Sequence, residues 1–300
     1  MPHPWEAEHP VSRELATQLI ADQFPELAGA KLTRLGEGWD NDVWLAGEAV
    51  FRFPRRAVAI PLLATEAAAL PGLAPLLPLA VPVPVYRGRP TEDFPYPWLG
   101  YRLLTGETGD RTALSDLDRA ALAAPLAGFL KTLHGVSAER AHALGIEDDR
   151  FRSDMPRFLK LAHDRLKLVE TSLPAETVAR IRTYDLPPPS AAPRVPCHGD
   201  LYARHLLFDA ARRLCAVIDW GDLCLADPAV DLAIAYSALP AAARPAFFAA
   251  YGPVSADAHA RARLSALARH GLTLLAYARD RGDAPLEAEA RGAIDRALAL

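Results

Sequence analysis

The sequence predicts an α+β protein of two lobes: a small, mainly antiparallel sheet lobe at residues 1–98, a hinge at 99–106, and a larger, mainly helical lobe at 107–300. Three observations carry this reading. The first ninety-odd residues hold short apolar runs of strand length broken by turns. From Ser115 onward apolar residues recur every three or four positions over long runs. Between helical runs lies LPPPSAAPRVP at 186–196, too proline-rich for a helix and read as an extended connector. With 300 residues, 51% of them hydrophobic, the chain can bury a substantial core as one large domain or two modest ones.

Leu15, Leu19, Ile20 and Phe24 keep helical spacing after a Ser12 cap and before Pro25, which predicts one amphipathic helix. Residues 31–35, 43–45 and 49–53 read as strands around the turn-rich segment Gly36–Asp42. A short helix is expected over Thr65–Leu70, then strands over Val81–Tyr86 and Trp98–Leu104. In the second lobe Leu117, Ala121, Leu122, Leu126, Phe129, Leu130 and Leu133 predict a helix from Ser115 to His134, capped by Ser115 with Asp118 and kinked at Pro125. Further helices are expected over 154–170, 174–185, 229–238, 244–251, 257–281 and 285–299.

Composition excludes several classes of partner. Thirty-three Lys+Arg against thirty-seven Asp+Glu leave a net charge of −4 and a pI near 6.1, so no basic excess exists to neutralise nucleic acid or an anionic membrane. Cys197, Cys215 and Cys224 share no CxxC spacing, which points to a reducing compartment rather than a zinc or redox motif. The N-terminal MPHPWEAEHP lacks the pattern of a secretory signal, and five prolines interrupt the uncharged stretch Ala67–Tyr86, which reads as a buried turn-and-strand passage. The expectation is a cytoplasmic protein with no membrane partner.

Chemistry concentrates in VPCHGDLYARHLLFD and LCAVIDWGDLCLADPAVDLA. His205–Phe208 and Cys215–Ile218 are apolar runs joined by a hairpin-length turn, so antiparallel pairing brings Asp200, before the first strand, near Asp219, after the second. Two carboxylates converging there suit a site in which one binds a divalent cation and the other orients a hydroxyl for attack on phosphate. The spacing His198-Gly-Asp200-x-x-x-x-His205 followed by Asp219 also follows the catalytic and metal-binding spacing of protein kinases. Asp227 and Asp231 read as structural, with Asp227 capping the helix after Pro228. His198 reads as a support for the loop, His134 as packing at a helix end, and the cysteines as small apolar residues.

On these motifs the chain resembles the aminoglycoside and macrolide phosphotransferase family, small-molecule kinases with a bilobal protein-kinase-like fold, over about residues 30 to 290. The resemblance implies that Asp200 is the catalytic base or substrate-orienting acid and that Asp219 holds Mg²⁺. His205 stands where most of the superfamily has a metal-binding Asn, a departure that the macrolide branch shares; an imidazole suits Mg²⁺ less well than an amide oxygen and tolerates Mn²⁺ better. Leu35-Gly-Glu-Gly-Trp-Asp-Asn-Asp-Val43 resembles the nucleotide-covering loop, with Gly36 and Gly38 letting backbone amides approach phosphate. Arg52 stands where the kinase pattern puts a phosphate-binding Lys, with Glu66 as its helix partner. Leu99 and Tyr101 lie in the stretch Trp98–Gly106, expected to meet the nucleotide base through its backbone.

The expected activity is transfer of the γ-phosphate of ATP or GTP to a hydroxyl of a small molecule, a macrolide or an aminoglycoside. Residues 99–300 hold twenty-five cationic and twenty-five anionic side chains, which does not call for a polycationic acceptor and, with His205, tilts the reading towards macrolides. A catalytically silent nucleotide-binding module is the competing reading, since Arg52 and His205 both depart from the pattern. A protein kinase is disfavoured because ADPAVDLA follows Asp219 closely, with no activation segment between.

Overall fold

The computed structural model describes residues 7–37, 40–149 and 151–299, and the backbone alone at Glu37. It divides into two compact units, one made of the described residues up to Pro75 with Ala80–Leu104, the other of Leu76–Leu79 and the chain from Thr105 onward.

In the first unit helix α1 (Arg13–Gln23) begins where Ser12 Oγ accepts from the Leu15 amide at 3.2 Å. Strands β1 (Leu32–Glu37), β2 (Asn41–Ala46) and β3 (Ala49–Pro54) precede helix α2 (Ala59–Leu73), and β4 (Pro84–Gly88) and β5 (Trp98–Arg102) follow it. All pair antiparallel in the order β1-β2-β3-β5-β4. The core is aromatic: Phe51, Phe53, Phe94 and Trp98 are fully buried, and the Phe53 and Trp98 rings stack at 4.7 Å. Trp98 lies so close to β4 that a Cβ on Gly88 would sit 1.9 Å from its ring, so only glycine fits there.

Helix α2 is longer than the expected Thr65–Leu70, and the stretch from Ala67 begins as helix rather than as turn and strand. Pro71 misled because it does not break the helix. Pro61 is the third helical residue, where an N–H has no intrahelical acceptor. Pro71 leaves the Ala67 carbonyl without its usual donor, and Arg87 Nη2 supplies one at 2.9 Å. Ala59–Leu76 is long and apolar enough to cross a membrane by composition, yet 39% of it is buried within the protein.

The second unit begins with β6 (Glu107–Thr108), α3 (Asp116–Ala121), α4 (Ala123–His134) and α5 (Ala138–Ala143). The single helix expected from Ser115 to His134 is two, divided at Leu122: Ser115 and Asp118 form a capping box, and Pro125 sits in the first turn of α4, where its missing N–H is harmless. Helices α6 (Met155–Val169) and α7 (Ala175–Arg182) lead to the connector. Then come β7 (Val195–Cys197), β8 (Leu206–Phe208), β9 (Leu214–Val217) and β10 (Cys224–Ala226). The predicted hairpin is β8–β9, extended by β6, while β7 pairs with β10 in a ladder too short to show a period in sequence.

Helix α8 (Ala229–Ser237) is buried on every face, and α9 (Arg244–Tyr251) and α10 (Ala256–Ser265) follow. The helix expected over 257–281 is interrupted by a π-helical turn, Ala266–Thr273, before α11 (Leu274–Arg281) and α12 (Ala284–Leu298) complete the chain. This turn packs on α6, α8 and α12.

Arg87→Ala should cost about 1 kcal/mol in urea unfolding through the Ala67 carbonyl it satisfies. In a Pro71→Ala background, where residue 71 again offers its own N–H, the same change should cost far less. Equal penalties in both backgrounds would show that the side chain does not stand in for the missing donor.

Candidate active site

In the second unit the loop between β7 and β8 is fixed from below by one carboxylate. Asp231, wholly buried on α8, accepts from the backbone N–H of His198 at 2.7 Å and of Gly199 at 3.0 Å, and lies 3.2 Å from His134 Nε2. His134 Nδ1 meets the Tyr251 hydroxyl at 2.8 Å. Burial works to raise the Asp231 pKa, but His134, His198 and the Gly199 amide outweigh it and hold the carboxyl below its ordinary value. His134, Cys197 and Asp231 place ligand atoms within 4.8 Å of one another, a spacing a metal could use. The internal bonds already occupy them: burial keeps the Cys197 thiol protonated, and it donates to the Asp227 carbonyl at 3.7 Å.

Gly199 turns the chain with φ of 84°, and a Cβ there would sit 2.1 Å from the Asp222 carbonyl oxygen, so this position admits only glycine. The next N–H, that of Asp200, donates to His198 Nδ1 at 3.3 Å, while His198 Nε2 lies 3.0 Å from the Ile218 carbonyl. These two bonds fix the tautomer with hydrogen on Nε2. Burial holds the His198 pKa below its usual value, so the ring is a neutral brace between the two arms of the hairpin.

His205 Nδ1 lies 2.8 Å from the Asp200 carbonyl oxygen, which can only accept, so Nδ1 carries a hydrogen and Nε2 faces Asp219 Oδ2 at 3.3 Å. Burial pulls the His205 pKa down, but Asp219 and Asp200 overcome it and the net direction is upward. Asp219 has φ of 63°, an uncommon conformation for a side-chain-bearing residue. Nε2 and Oδ2 are close enough to hold either a proton, with the imidazole donating and the carboxylate accepting, or a metal ion between them. The set suits a divalent cation taking one carboxylate oxygen and one imidazole nitrogen.

Asp200 is gripped from another side. Arg269, in the π-helical turn, donates from Nη2 to Asp200 Oδ1 at 2.6 Å and to the Gly199 carbonyl at 2.8 Å. Arg152 donates to the same carbonyl at 3.2 Å and pairs with Asp222. Burial would raise the Asp200 pKa, yet Arg269, His205 and Arg152 hold it below the ordinary value. Asp227 does cap α8, accepting from the Ala229 amide at 3.0 Å, and is paired with buried Arg261 at 2.6 Å.

In the first unit Arg52, on β3 opposite Leu99, donates from Nη1 to both Glu66 oxygens at 3.1 and 2.9 Å. The Glu66 side chain is wholly buried and that of Arg52 is 13% exposed, so this is no surface pair. Leu99 and Tyr101 are buried with Leu63 and Ala67 and lie in the central strand β5, paired with β3 on one edge and β4 on the other, so their backbone serves the sheet rather than, as expected, a nucleotide base. Gly36 lies at a register shift in β1, with open space where a Cβ would be. Gly38 lies outside the described residues.

The structure therefore brings Asp200, His205 and Asp219 together in one unit, and Arg52 and Glu66 in the other. Arg152 and Arg269 were missed by sequence reasoning. The one available signal was the polar pair Arg269–His270 inside the apolar run ALARHGL.

The profile of the APH phosphotransferase enzyme family matches residues 31–267. A search of curated protein sequences finds no match. Among solved structures, the chain is similar to the GDP complex of wild-type aminoglycoside 2'-phosphotransferase-IIIa, with TM-score 0.68 and 23% identity over 95% of this chain and 98% of that one. It is also similar to apo macrolide 2'-phosphotransferase MphH from Brachybacterium faecium, with TM-score 0.60 and 26% identity over 93% of this chain and 97% of that one. The GDP and kanamycin complex of APH(2")-IIia gives TM-score 0.67 and 23% identity over 94% and 97%.

His270 gives the site region a pH dependence. Its Nδ1 meets Ser237 Oγ at 2.9 Å, and burial, reinforced by Arg269, holds its pKa at about 3. The unfolded chain takes up this proton near the ordinary value of about 6.5, so it gains stability relative to the fold as pH drops below that, down to about 3, by at most about 1.4 kcal/mol per pH unit. His270→Gln should therefore lose less stability than the wild type between pH 6.5 and 4.5. Parallel melting-temperature curves for the two would contradict this.

Proposed function

The chain belongs to the phosphotransferase enzyme family, and from that premise we propose that it transfers the γ-phosphate of ATP or GTP to a hydroxyl of a small, largely apolar molecule of macrolide type. The observation that carries this reading is the convergence of Asp200, His205 and Asp219, with the His205 tautomer set so that Nε2 faces Asp219 Oδ2 at 3.3 Å.

Asp200 is the residue that would orient the acceptor. Its Oδ2 would accept the hydrogen bond of the attacking hydroxyl. The hydroxyl oxygen forms a bond to the γ-phosphorus with its lone pair. The bond from that phosphorus to the β–γ bridging oxygen breaks, and its electron pair stays on the diphosphate. The hydroxyl proton passes to Oδ2 and then to water. With Arg269 and Arg152 beside it, Asp200 is a weak base and acts chiefly by holding the nucleophile in line. Asp219 and His205 would hold Mg²⁺ or Mn²⁺, which supplies charge neutralisation to the nucleotide phosphates when bound.

In the first unit Arg52 would bind phosphate. Glu66 accepts from its Nη1 at both carboxylate oxygens and so fixes the guanidinium, whose charge suits oxyanions. The backbone around Gly36 would approach the phosphates. The macrolide preference is supported by His205 and by the balanced charge of residues 99–300. Arg152 and Arg269 beside Asp200 also disfavour an acceptor with an ammonium group next to its reacting hydroxyl.

Nucleotide consumption measured with ATP and GTP separately, with Mg²⁺ or Mn²⁺, across macrolides, aminoglycosides and amino alcohols should show macrolide-dependent turnover. Tight nucleotide binding with no turnover for any acceptor would favour the silent module. Asp200→Ala should lower kcat by about a hundredfold to ten-thousandfold with nucleotide affinity retained. Asp219→Ala should abolish the metal dependence of nucleotide binding. His205→Asn, which offers an amide oxygen, should shift the metal preference from Mn²⁺ towards Mg²⁺.

A further inference from the structure

The π-helical turn Ala266–Thr273 is the least regular stretch of the helical unit, and what it delivers is Arg269. Thr273 Oγ1 donates back to the Ala268 carbonyl at 2.7 Å, five residues earlier, and Gly271 lets α12 approach so closely that a Cβ would meet Ile294 Cγ1 at 2.6 Å. A widened turn rotates the side chains it carries relative to the flanking helix. Arg269 lies with Cζ 5.7 Å from the Phe158 ring of α6 and reaches the loop between β7 and β8. Its side chain is 11% exposed, and its Nη1 is buried without a hydrogen-bond partner among the described residues.

Every polar atom of Asp200 except one is thereby committed. The backbone N–H donates to His198, the carbonyl accepts from His205, and Oδ1 accepts from Arg269. Oδ2, 3.9 Å from His205 Nδ1, takes no hydrogen bond among the described residues, on a side chain 28% exposed. A carboxylate held at one oxygen and at the preceding carbonyl cannot rotate freely about its Cβ–Cγ bond.

We propose that Arg269 is a positioning residue for phosphoryl transfer, clamping Asp200 Oδ1 and the Gly199 carbonyl so that Oδ2 is presented to the acceptor hydroxyl. The role rests on the phosphotransferase reading above. It differs from a structural brace in what it controls. A brace secures the fold of the loop, whereas this contact sets the direction in which the reacting hydroxyl is held. A buried guanidinium with Nη1 unpaired is a costly way to brace a loop whose two amides Asp231 already holds.

The test compares the full-length wild type with Arg269→Ala, Arg269→Lys and Asp200→Ala, using Mg²⁺–ATP and Mg²⁺–GTP with a macrolide panel and with water as acceptor. Arg269→Ala should lose about a hundredfold in kcat, the scale of a misplaced reacting group, while nucleotide KM stays within about twofold. Arg269→Lys should recover part of the rate. Added methylguanidinium should restore part of the Arg269→Ala rate and none of the Asp200→Ala rate. The role is overturned if Arg269→Ala, folded by near-ultraviolet circular dichroism, keeps the wild-type kcat. It is equally overturned if any loss follows unfolding and resists methylguanidinium. A wild type that neither transfers phosphate to any acceptor nor hydrolyses nucleotide sinks the phosphotransferase reading and this role with it; wild-type turnover alongside an intact Arg269→Ala sinks this role alone.

Discussion

The candidate site of the helical unit depends on the carboxylate of Asp231, buried at the heart of α8 and accepting from two consecutive loop amides and from His134. A loop turned sharply by a glycine at φ of 84° cannot make ladder bonds with its own N–H groups. Asp231 supplies both acceptors at once, and charge-assisted bonds of this kind offset the penalty of burying the ion. The relay continues outward through His134 to Tyr251, so α4, α8 and α9 all bear on the geometry of three residues. From that fixed base the loop can lay out His198, Asp200 and His205 as a chain in which each ring or carbonyl defines the next tautomer.

Much of this was legible in sequence because the hairpin is a local device. A short turn between two apolar runs brings its ends together whatever the rest of the chain does, so Asp200 and Asp219 could be paired from spacing alone. The first-unit pair Arg52 and Glu66 was legible as motif order, and burial of both side chains is what the order could not convey. Two prolines were misread: Pro125 falls in a first turn, where no donor is needed, and Pro71 is excused by an arginine on a neighbouring strand.

The contacts that escaped sequence reading are long-range. Arg152 and Arg269 lie 47 and 70 residues from the Gly199 carbonyl they share. A π-helical turn leaves almost no compositional mark, since apolar spacing over 257–281 fits an ordinary helix nearly as well. The ladder of β7 with β10 spans three residues on each side, too few for any period to emerge. Where the side chains point is decided by packing against α6, α8 and α12, and packing of that kind is a property of the folded unit.

The arginine on β3 has a consequence for how this chain would be seen in chemical surveys. Only four of its thirty-three cationic residues are lysines, and the side chain that donates to Glu66 from β3 is an arginine. Acyl-phosphate nucleotide probes find kinases by acylating an amine beside the bound phosphates, and the guanidinium of Arg52, proposed above to meet those phosphates, stays protonated and does not take up the acyl group. A proteome profiled by such reagents would register this chain as silent there whatever its turnover. Dicarbonyl reagents that condense with guanidinium groups are the chemistry suited to that position.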